Sequence, residues 1–418
     1  MFSIATKYAR LWMVTMFLCI IIGLVLMIAV ALIPQETIKR NSQAYIEETQ
    51  TSRREDIYAR PRCRSFYTES YMFMLACTMD EKRPLESALE SRMYEETREP
   101  TVDFNIFLNK GAENMKQIDY NRYWHGYLVL LRPAIALMSS STLRNLNCIF
   151  FYGLTIYLSI IVYHTFGGKV VAAFAASLIY ASFWTIPQAF DFITTFLIAF
   201  LASIAVIKSN KLCCTSEKTS IFFLIIGALT SYTDFLITPI VTIAYPLIFA
   251  SLLHKGKPWK QHITFIFICS AAWAIGYVGM WAAKWILCVL FTNCEVYTEV
   301  KGRLMNRTYK VIDTTPENVF RYFFWFLPAG NKFWDSIYTV IIILGTMLPL
   351  GWICSKYKQF ALDNIAILLL MFYPAGWFLM AFGHSFTHIF FTYRAWGVFV
   401  FAYLIFMMKA YETIKPKR

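Results

Sequence analysis

Long apolar runs alternate with short polar segments over most of this chain. Ten of these runs are long enough to cross roughly 30 Å of hydrocarbon, which takes about 20 helical residues each. They cover residues 11–34, 145–163, 170–186, 192–207, 219–231, 236–253, 263–291, 334–354, 361–382 and 389–408. The fifth run is short and the seventh is long. The pattern predicts an all-α fold, a polytopic membrane helix bundle of about ten spans.

The composition supports this prediction. Of the 418 residues, 58% are hydrophobic and only 16% are charged, whereas about a quarter of the residues in a typical soluble protein are charged. The mean hydropathy of the chain is +0.49. These values exclude a soluble enzyme, a disordered chain and a collagen-like repeat.

The formal net charge of +13 indicates how the bundle is oriented. If the N-terminus is cytoplasmic, the inner segments carry 15 basic residues against two acidic ones, and the rest of the chain carries 24 of each sign. Cytoplasmic loops of membrane proteins retain such an excess of Lys and Arg. The charge therefore predicts a multi-pass protein of the cytoplasmic membrane with both termini inside, and it does not indicate a nucleic-acid partner.

The chain divides into four parts. Residues 1–34 form the cytoplasmic N-terminus and the first transmembrane helix, and residues 35–144 form a long extracytoplasmic loop. Residues 145–408 make up the remaining transmembrane bundle, and residues 409–418 form a basic cytoplasmic tail. Because structureless loops of this length are uncommon, we expect the long loop to contain helices that lie in the membrane interface.

The expectation of interfacial helices rests on three stretches of the loop. The sequence SFYTESYMFMLACTM (65–79) reads as an apolar helix, and PLESALESRMYEE (84–96) reads as a helix that begins at a proline. The stretch YNRYWHGYLVLLRPAIALM (120–138) combines aromatic and basic residues with an apolar run. Aromatic residues of this kind are enriched where a membrane meets water.

Two basic residues lie within the predicted spans, and one acidic residue lies in the short segment between the fifth and sixth spans. Charges inside a span are costly, so Lys284 and Arg394 are functional candidates. For Lys284, snorkelling of the side chain to the interface is the competing interpretation. Asp234 is a further candidate, with helix capping as its competing role.

The sequence contains only weak indications of a metal or a disulfide. His384 and His388 are spaced i, i+4, but HSFTH lacks the glutamate that follows the first histidine in zinc proteases. No Asp-x-Asp pair marks a divalent-cation site, so the sequence predicts no cofactor and leaves a divalent cation open. Cys63, Cys77 and Cys294 fall in outward segments. One bridge among them is conceivable, and the sequence does not pair them.

The layout of the chain resembles the GT-C superfamily of membrane glycosyltransferases. The shared features are an inward N-terminus, a long first outer loop with interfacial helices, and about ten spans. Four blocks are similar to those of bacterial GT-C-like proteins: NRYWHGY (121–127), SYTDFLITP (231–239), GYVGMWAAKW (276–285) and HSFTHIFFTYR (384–394). The overall layout covers most of the chain, and the four blocks cover under a tenth of it.

The resemblance implies an enzyme, a hexosyl or pentosyl transferase of polysaccharide biosynthesis. Its partners would be a polyprenyl-phosphate-linked sugar donor, a glycan or lipid acceptor of the cell envelope, and membrane lipids. Enzymes of this family use a carboxylate of the first outer loop as catalytic base, usually an aspartate. Here the best-placed carboxylate is Glu69, with Asp80 as the second candidate. The expected donor phosphate ligands are Lys284, Arg307, His384, His388 and Arg394. The expected substrate-binding residues are Arg122, Tyr123, Trp124, His125 and Asp234.

The roles assigned to these residues agree with the chemistry of glycosyl transfer. A carboxylate orients and deprotonates the attacking hydroxyl, and cationic groups stabilise the departing phosphate. Direct displacement with a single base predicts inversion at the anomeric carbon. The alternative is a transporter or flippase of lipid-linked sugars. Transporters commonly show internal repeats and polar sites near the bilayer midplane, whereas this sequence shows no repeat and its candidate charges lie near the outer ends of spans.

Overall fold

The computed structural model of the chain is almost entirely helical. It describes residues 2–51, 66–209, 212, 217–254, 258–292, 294, 296, 301–302 and 332–414. Within these residues, one antiparallel pair of strands, β1 (Arg92–Glu95) and β2 (Lys116–Asp119), interrupts the helices, with Arg92 opposite Asp119. The all-α prediction therefore holds apart from this pair of strands.

Within the described residues, twelve α-helices lie before residue 292 and further helices lie after residue 331. The first twelve are α1 (Phe2–Ala31), α2 (Gln35–Thr51), α3 (Phe66–Thr78), α4 (Pro84–Leu89), α5 (Pro100–Lys110), α6 (Leu128–Leu137), α7 (Ser140–Phe166), α8 (Gly168–Tyr180), α9 (Phe190–Lys208), α10 (Glu217–Thr233), α11 (Val241–Leu253) and α12 (Trp259–Phe291). A short 3-10 helix, Phe183–Gln188, precedes α9. After α12 follow the helices Lys332–Lys356, Lys358–Asp363, Ile365–Met371, Tyr373–Met380, Phe382–Thr387 and Ile389–Thr392, the 3-10 helix Tyr393–Trp396, and the C-terminal helix Gly397–Ile414.

Five helical segments of the described chain are long and apolar enough to cross a membrane. They are Tyr8–Ala31, Ser140–Phe166, Phe190–Lys208, Trp259–Phe291 and Tyr393–Ile414. Five shorter apolar helices accompany them: Leu128–Leu137, Gly168–Tyr180, Val241–Leu253, Ile341–Lys356 and Ile365–Met380. These helices indicate a multi-pass membrane protein.

The surface of the long helices is apolar. On α1, the side chains of Met13, Phe17 and Ile22 are exposed, and on α7 those of Ile149 and Ile156 are exposed. Rows of large apolar side chains turned outward are unfavourable in water, whereas lipid tails accommodate them. The exposed faces of α1 and α7 are therefore suited to contact with lipid.

Helices α10 and α12 cross at a pair of glycines. A Cβ atom added at Gly227 would lie 2.0 Å from the carbonyl oxygen of Trp273, and one added at Gly276 would lie 2.0 Å from that of Leu224. The two backbones thus approach too closely for any side chain at these positions. Small residues at membrane helix interfaces permit this kind of packing.

Residues 35–51 and 66–137, which we call the cap segment, pack over one end of the helices. Helix α2 contacts α7, α3 contacts α9, α4 contacts both α1 and α12, and α6 contacts α1. The buried Arg132 of α6 donates to the carbonyl of Ile33 at 2.6 Å and to that of Met79 at 3.3 Å. These carbonyls lie just after α1 and α3, where helix ends favour a cation. Arg132 therefore joins the cap segment to the end of α1, and we call this end of the bundle the capped end.

The predictions for the long loop are partly confirmed. The helix predicted over 65–79 is observed as α3, and α4 begins at Pro84 as expected. The prediction that this helix continues to residue 96 is wrong, because Arg92–Glu95 pairs with Lys116–Asp119 instead. In the third stretch only Leu128–Leu137 is helical. Helix α2 was not predicted from the sequence.

Candidate functional site

The carboxylate of Glu69 is fully buried at the start of α3. It accepts two hydrogen bonds from the guanidinium of Arg144, at 2.8 Å to Oε1 and 3.0 Å to Oε2. The backbone N–H of Phe190 donates to the same Oε1 at 2.8 Å. A bidentate pair with arginine is among the strongest hydrogen-bonding arrangements in proteins. Glu69 is therefore the partner of Arg144 in a buried, bidentate ion pair.

Arg144, in the second turn of α7, connects several elements of the capped end. Its Nε donates to Oε1 of Glu48 on α2 at 3.2 Å, and the carbonyl of Gln188 accepts from its Nη1. The hydroxyl of Ser140 donates to the other oxygen of Glu48 at 2.9 Å. One guanidinium thus holds two carboxylates and a carbonyl from α2, α3 and the 3-10 helix.

Asp191 lies in the first turn of α9 and is 2% exposed. Neither of its carboxylate oxygens has a partner with normal hydrogen-bond geometry in the described part of the chain, although the side chain of Thr68 lies beside it. Its charged neighbours are Glu69 and Arg394. A buried carboxylate with open acceptor capacity is unusual, because most buried polar groups are hydrogen-bonded.

Arg394 completes the group from the other end of the sequence. It is 1% exposed, and its Nη2 donates to the hydroxyl of Thr185 at 2.9 Å. Its guanidinium also lies over the ring of Phe192, 4.2 Å from the centroid. Placed in the 3-10 helix before the C-terminal helix, it brings a second cation to the capped end.

These side chains form one buried ionic cluster, defined as Glu48, Glu69, Arg144, Asp191 and Arg394. Three carboxylates face two guanidinium groups, so the cluster carries one excess negative charge when every member is ionised. Buried ions are costly unless they are paired. The arrangement can therefore take up a proton or stabilise a positive charge that develops beside it.

Asp80 occupies a different environment. The backbone N–H of Lys82 donates to its carboxylate at 2.9 Å, and Nε of Arg83 donates at 3.3 Å. The N–H of Lys82 and the guanidinium of Arg83 hold the pKa of Asp80 below its ordinary value. This carboxylate stabilises the exposed turn before α4, and its described partners belong to that turn rather than to the ionic cluster.

Lys284 is fully buried on α12, where its ammonium group caps another helix. Nζ donates to the carbonyls of Ala88 at 3.1 Å and Leu89 at 2.7 Å, which end α4. It also lies 5.5 Å from the ring centroid of Trp124. Cations stabilise helix C-termini in this way. The structure thus gives Lys284 a structural role at the end of α4.

We expect the Lys284→Met variant to lose about 1–3 kcal/mol of stability, because the carbonyls at the end of α4 lose a buried donor. Thermal and denaturant unfolding of the purified protein in detergent would measure this. The matched control is Lys208→Met on the exposed end of α9, which should change stability by no more than about 0.5 kcal/mol. An unchanged stability in Lys284→Met would contradict the capping role.

The block 121–127 is used mainly in packing. The ring of Tyr123 stacks on Trp281 at 6.0 Å between centroids, and Nε1 of Trp124 donates to the carbonyl of Met280 at 2.6 Å. The guanidinium of Arg122 lies 4.0 Å from the ring centroid of Tyr120. These contacts fix the block against α12.

His125 is fixed within the same block. It has a left-handed backbone (φ 55°), and its Nε2 lies 2.9 Å from the carbonyl oxygen of Tyr120. Burial lowers the pKa of His125 to about 3, so its imidazole is neutral and carries no charge toward a phosphate.

Asp234, His384 and His388 meet near the turn that follows α10. Oδ1 of Asp234 accepts from the N–H of Ile237 at 3.1 Å, which is a capping contact for the turn. Burial raises the pKa of Asp234 to about 7, while nearby backbone N–H groups oppose that shift. Nε2 of His384 lies 2.9 Å from the carbonyl oxygen of Leu236. The ring centroids of His384 and His388 are 4.7 Å apart.

The expected donor phosphate ligands are only partly brought together. Arg394 joins the ionic cluster, Lys284 caps α4, and the two histidines lie at the turn after α10. Arg307 lies outside the described residues. No group of three or more His, Cys, Asp or Glu side chains suited to a metal ion occurs in the parts of the chain that the structure describes.

Neither Arg144 nor Asp191 is among the site residues predicted from the sequence. Arg144 reads as an ordinary basic residue just before a span, and Asp191 reads as an acidic residue at the end of one. The usable signal was Asp191 in IPQAFDF, a carboxylate set within an apolar run.

Comparisons with protein-family models, with curated proteins and with solved structures find no match for this chain.

Proposed function

We propose that this protein is a membrane glycosyltransferase that moves a hexosyl or pentosyl group from a polyprenyl-phosphate carrier to a glycan or lipid acceptor of the cell envelope. In this proposal the chain crosses the cytoplasmic membrane ten times with both termini inside, and the capped end faces outward. The opposite end joins the start of α8 to the C-terminal helix through Lys169 and Glu412, whose Nζ and Oε1 are 2.6 Å apart. Lys208 at the end of α9 and Lys260 at the start of α12 lie at the helix ends away from the cap segment, which favours cytoplasmic placement of that end.

The observation that carries the proposal is Asp191 in the ionic cluster. Glu69 is engaged by Arg144 and the N–H of Phe190, and Asp80 is engaged in an exposed turn. Asp191 is buried, with open acceptor capacity and a guanidinium neighbour. We therefore assign the role of base to Asp191 and the role of positioning residue for Arg144 to Glu69.

The proposed reaction follows from these positions. The carboxylate of Asp191 accepts the proton of the acceptor hydroxyl while the hydroxyl oxygen bonds to the anomeric carbon. The bond from that carbon to the phosphate oxygen breaks, and the polyprenyl phosphate leaves with the electron pair. The excess negative charge of the cluster stabilises the oxocarbenium-like transition state. Arg394, the cationic neighbour of Asp191, is the group that contacts the departing phosphate.

The second candidate is a transporter or flippase of lipid-linked sugars. Buried carboxylates among spans also serve transport. Such sites commonly lie near the bilayer midplane, whereas the ionic cluster is built from the ends of helices at the capped end. The position of the cluster therefore favours transfer over transport.

The test is a reaction with purified protein in detergent. Polyprenyl phosphates that carry labelled hexoses or pentoses are the donors, and envelope glycans or lipids are the acceptors. We expect time-dependent release of polyprenyl phosphate and a product whose anomeric configuration is inverted. Movement of the intact lipid-linked sugar across vesicles, without cleavage of its glycosidic phosphate bond, would instead support the transporter.

A further inference from the structure

Thr292 and Cys294 lie against the last turn of α12. Helix α12 ends at Phe291, and Thr292 has an extended backbone (φ −138°, ψ 170°). The hydroxyl of Thr292 lies 2.7 Å from the carbonyl oxygen of Cys288 and 2.9 Å from the sulfur of Cys294. A single hydroxyl therefore joins the last turn of the helix to the residue that follows it.

These contacts bring two thiols together. The thiol of Cys294 is within hydrogen-bond reach of the thiol of Cys288. Both side chains pack in a small apolar cluster with Leu89 and Val296, and the S–H of Cys288 points to the carbonyl of Leu89 at 3.2 Å. Cys288 is buried and Cys294 is partly exposed.

We propose that Cys288 and Cys294 form a disulfide that fixes the residues after α12 to its last turn. The bond lies beside the Leu89 carbonyl that Lys284 also holds, so it would secure the contact between α12 and the cap segment. The inference is independent of the glycosyltransferase proposal, because it rests only on the arrangement of the two thiols.

The bond forms by exchange with an oxidised dithiol or oxidised glutathione. Cys294, the more accessible thiol, loses its proton and attacks one sulfur of the oxidant, and the other sulfur leaves as a thiolate. The sulfur of Cys288 then attacks Cys294 in the mixed disulfide and releases the second oxidant thiol. Two protein thiols are oxidised, and one disulfide of the oxidant is reduced to two thiols.

The surroundings of Cys294 favour the bonded state. Its hydrogen bond with Cys288 and its burial raise the pKa of Cys294 above its ordinary value. A disulfide is strongly oxidising when its reduced form, the thiolate, is stabilised. When the thiolate is not stabilised, the disulfide resists reduction. We therefore expect slow formation and slow reduction.

The other described cysteines provide internal references. Cys269 is buried earlier on the same helix. Cys77 donates its S–H to the hydroxyl of Ser42 at 3.4 Å. Each of these thiols should remain reduced under conditions that oxidise the proposed pair.

The experiment uses the full-length protein, purified in detergent and treated with oxidised glutathione. Free thiols are then alkylated, and the protein is digested with trypsin. Cys288 and Cys294 fall on the single peptide 285–301, which should be lighter by two hydrogen atoms and unalkylated in most molecules. Chymotrypsin can cut between the two cysteines at Phe291, after which the fragments should remain linked until they are reduced.

Three variants decide the result. Cys294→Ser and Cys288→Ser should each abolish the linked fragments, whereas Cys269→Ser should retain them. The proposal is overturned if both thiols of wild-type protein are still alkylated after prolonged oxidation, or if Cys294 is found linked to a cysteine other than Cys288. A mixed disulfide of Cys294 with glutathione that never resolves would also overturn it.

Discussion

The Asp191→Asn variant should transfer sugar about 10²–10⁴ times more slowly than the wild-type protein, the range expected for loss of a general base. Asparagine has nearly the shape of aspartate, so the packing at the start of α9 is kept, but an amide does not accept the proton of the acceptor hydroxyl. Initial rates of donor cleavage, normalised to folded protein, measure the effect. Because the substitution removes the excess negative charge of a buried cluster, we expect no loss of stability.

The matched control is Asp80→Asn. Asp80 lies in an exposed turn, where its partners are the N–H of Lys82 and the guanidinium of Arg83. We expect this variant to retain nearly the full rate. If Asp80→Asn abolishes transfer and Asp191→Asn does not, Asp191 is not the base. Asp80, the second candidate from the sequence, would then take that role.

Replacing Arg144 by alanine should destabilise the protein by about 3–5 kcal/mol, the cost of removing one partner from a buried ion pair. The change leaves the carboxylates of Glu69 and Glu48 and the carbonyl of Gln188 without their shared donor. Glu69 is 0% exposed, so little water can replace the guanidinium. Denaturant or thermal unfolding in detergent provides the measurement.

Two further variants test whether the loss of stability comes from the buried ion pair or from substituting an arginine in general. Arg98→Ala removes an arginine that is 91% exposed and 3.8 Å from Glu95, and it should change stability by no more than about 0.5 kcal/mol. Combining Arg144→Ala with Glu69→Gln should restore part of the loss, because the uncompensated charge on residue 69 disappears. A loss below about 1 kcal/mol in Arg144→Ala would refute the buried pair.

Charged residues in apolar surroundings were recognisable from the sequence, but their partners were not. Lys284 and Arg394 were both expected at a donor phosphate. In the structure Lys284 holds carbonyls 195 and 196 residues away along the chain, whereas Arg394 contacts Thr185 and lies beside Asp191. From the sequence, a basic residue in an apolar run could contact a phosphate or cap a helix end. The two cases are not distinguishable there, because only folding brings a helix end next to the cation.

The cap segment shows the same limit at the level of secondary structure. The pattern over 65–79 specified a helix that is observed as α3. The pattern over 84–96 also favoured a helix, yet Arg92–Glu95 forms a strand. Lys284 and Cys288 hold the carbonyl of Leu89, and residues after it pair with Lys116–Asp119. These long-range contacts outweigh the local helix preference of a short segment.

The sequence by itself determined the class of this protein, a helical multi-pass membrane chain, and its charge pattern predicted which loops face the cytoplasm. These properties follow from local hydrophobic length and from charge counts, which need no knowledge of contacts. Only the tertiary structure decided which carboxylate is engaged and which is open. Glu69 meets Arg144 across 75 residues and Phe190 across 121, and this pairing leaves Asp191 with open acceptor capacity. Hydrogen-bond partners separated so far along the chain are set by the packing of helices, and no local pattern encodes them.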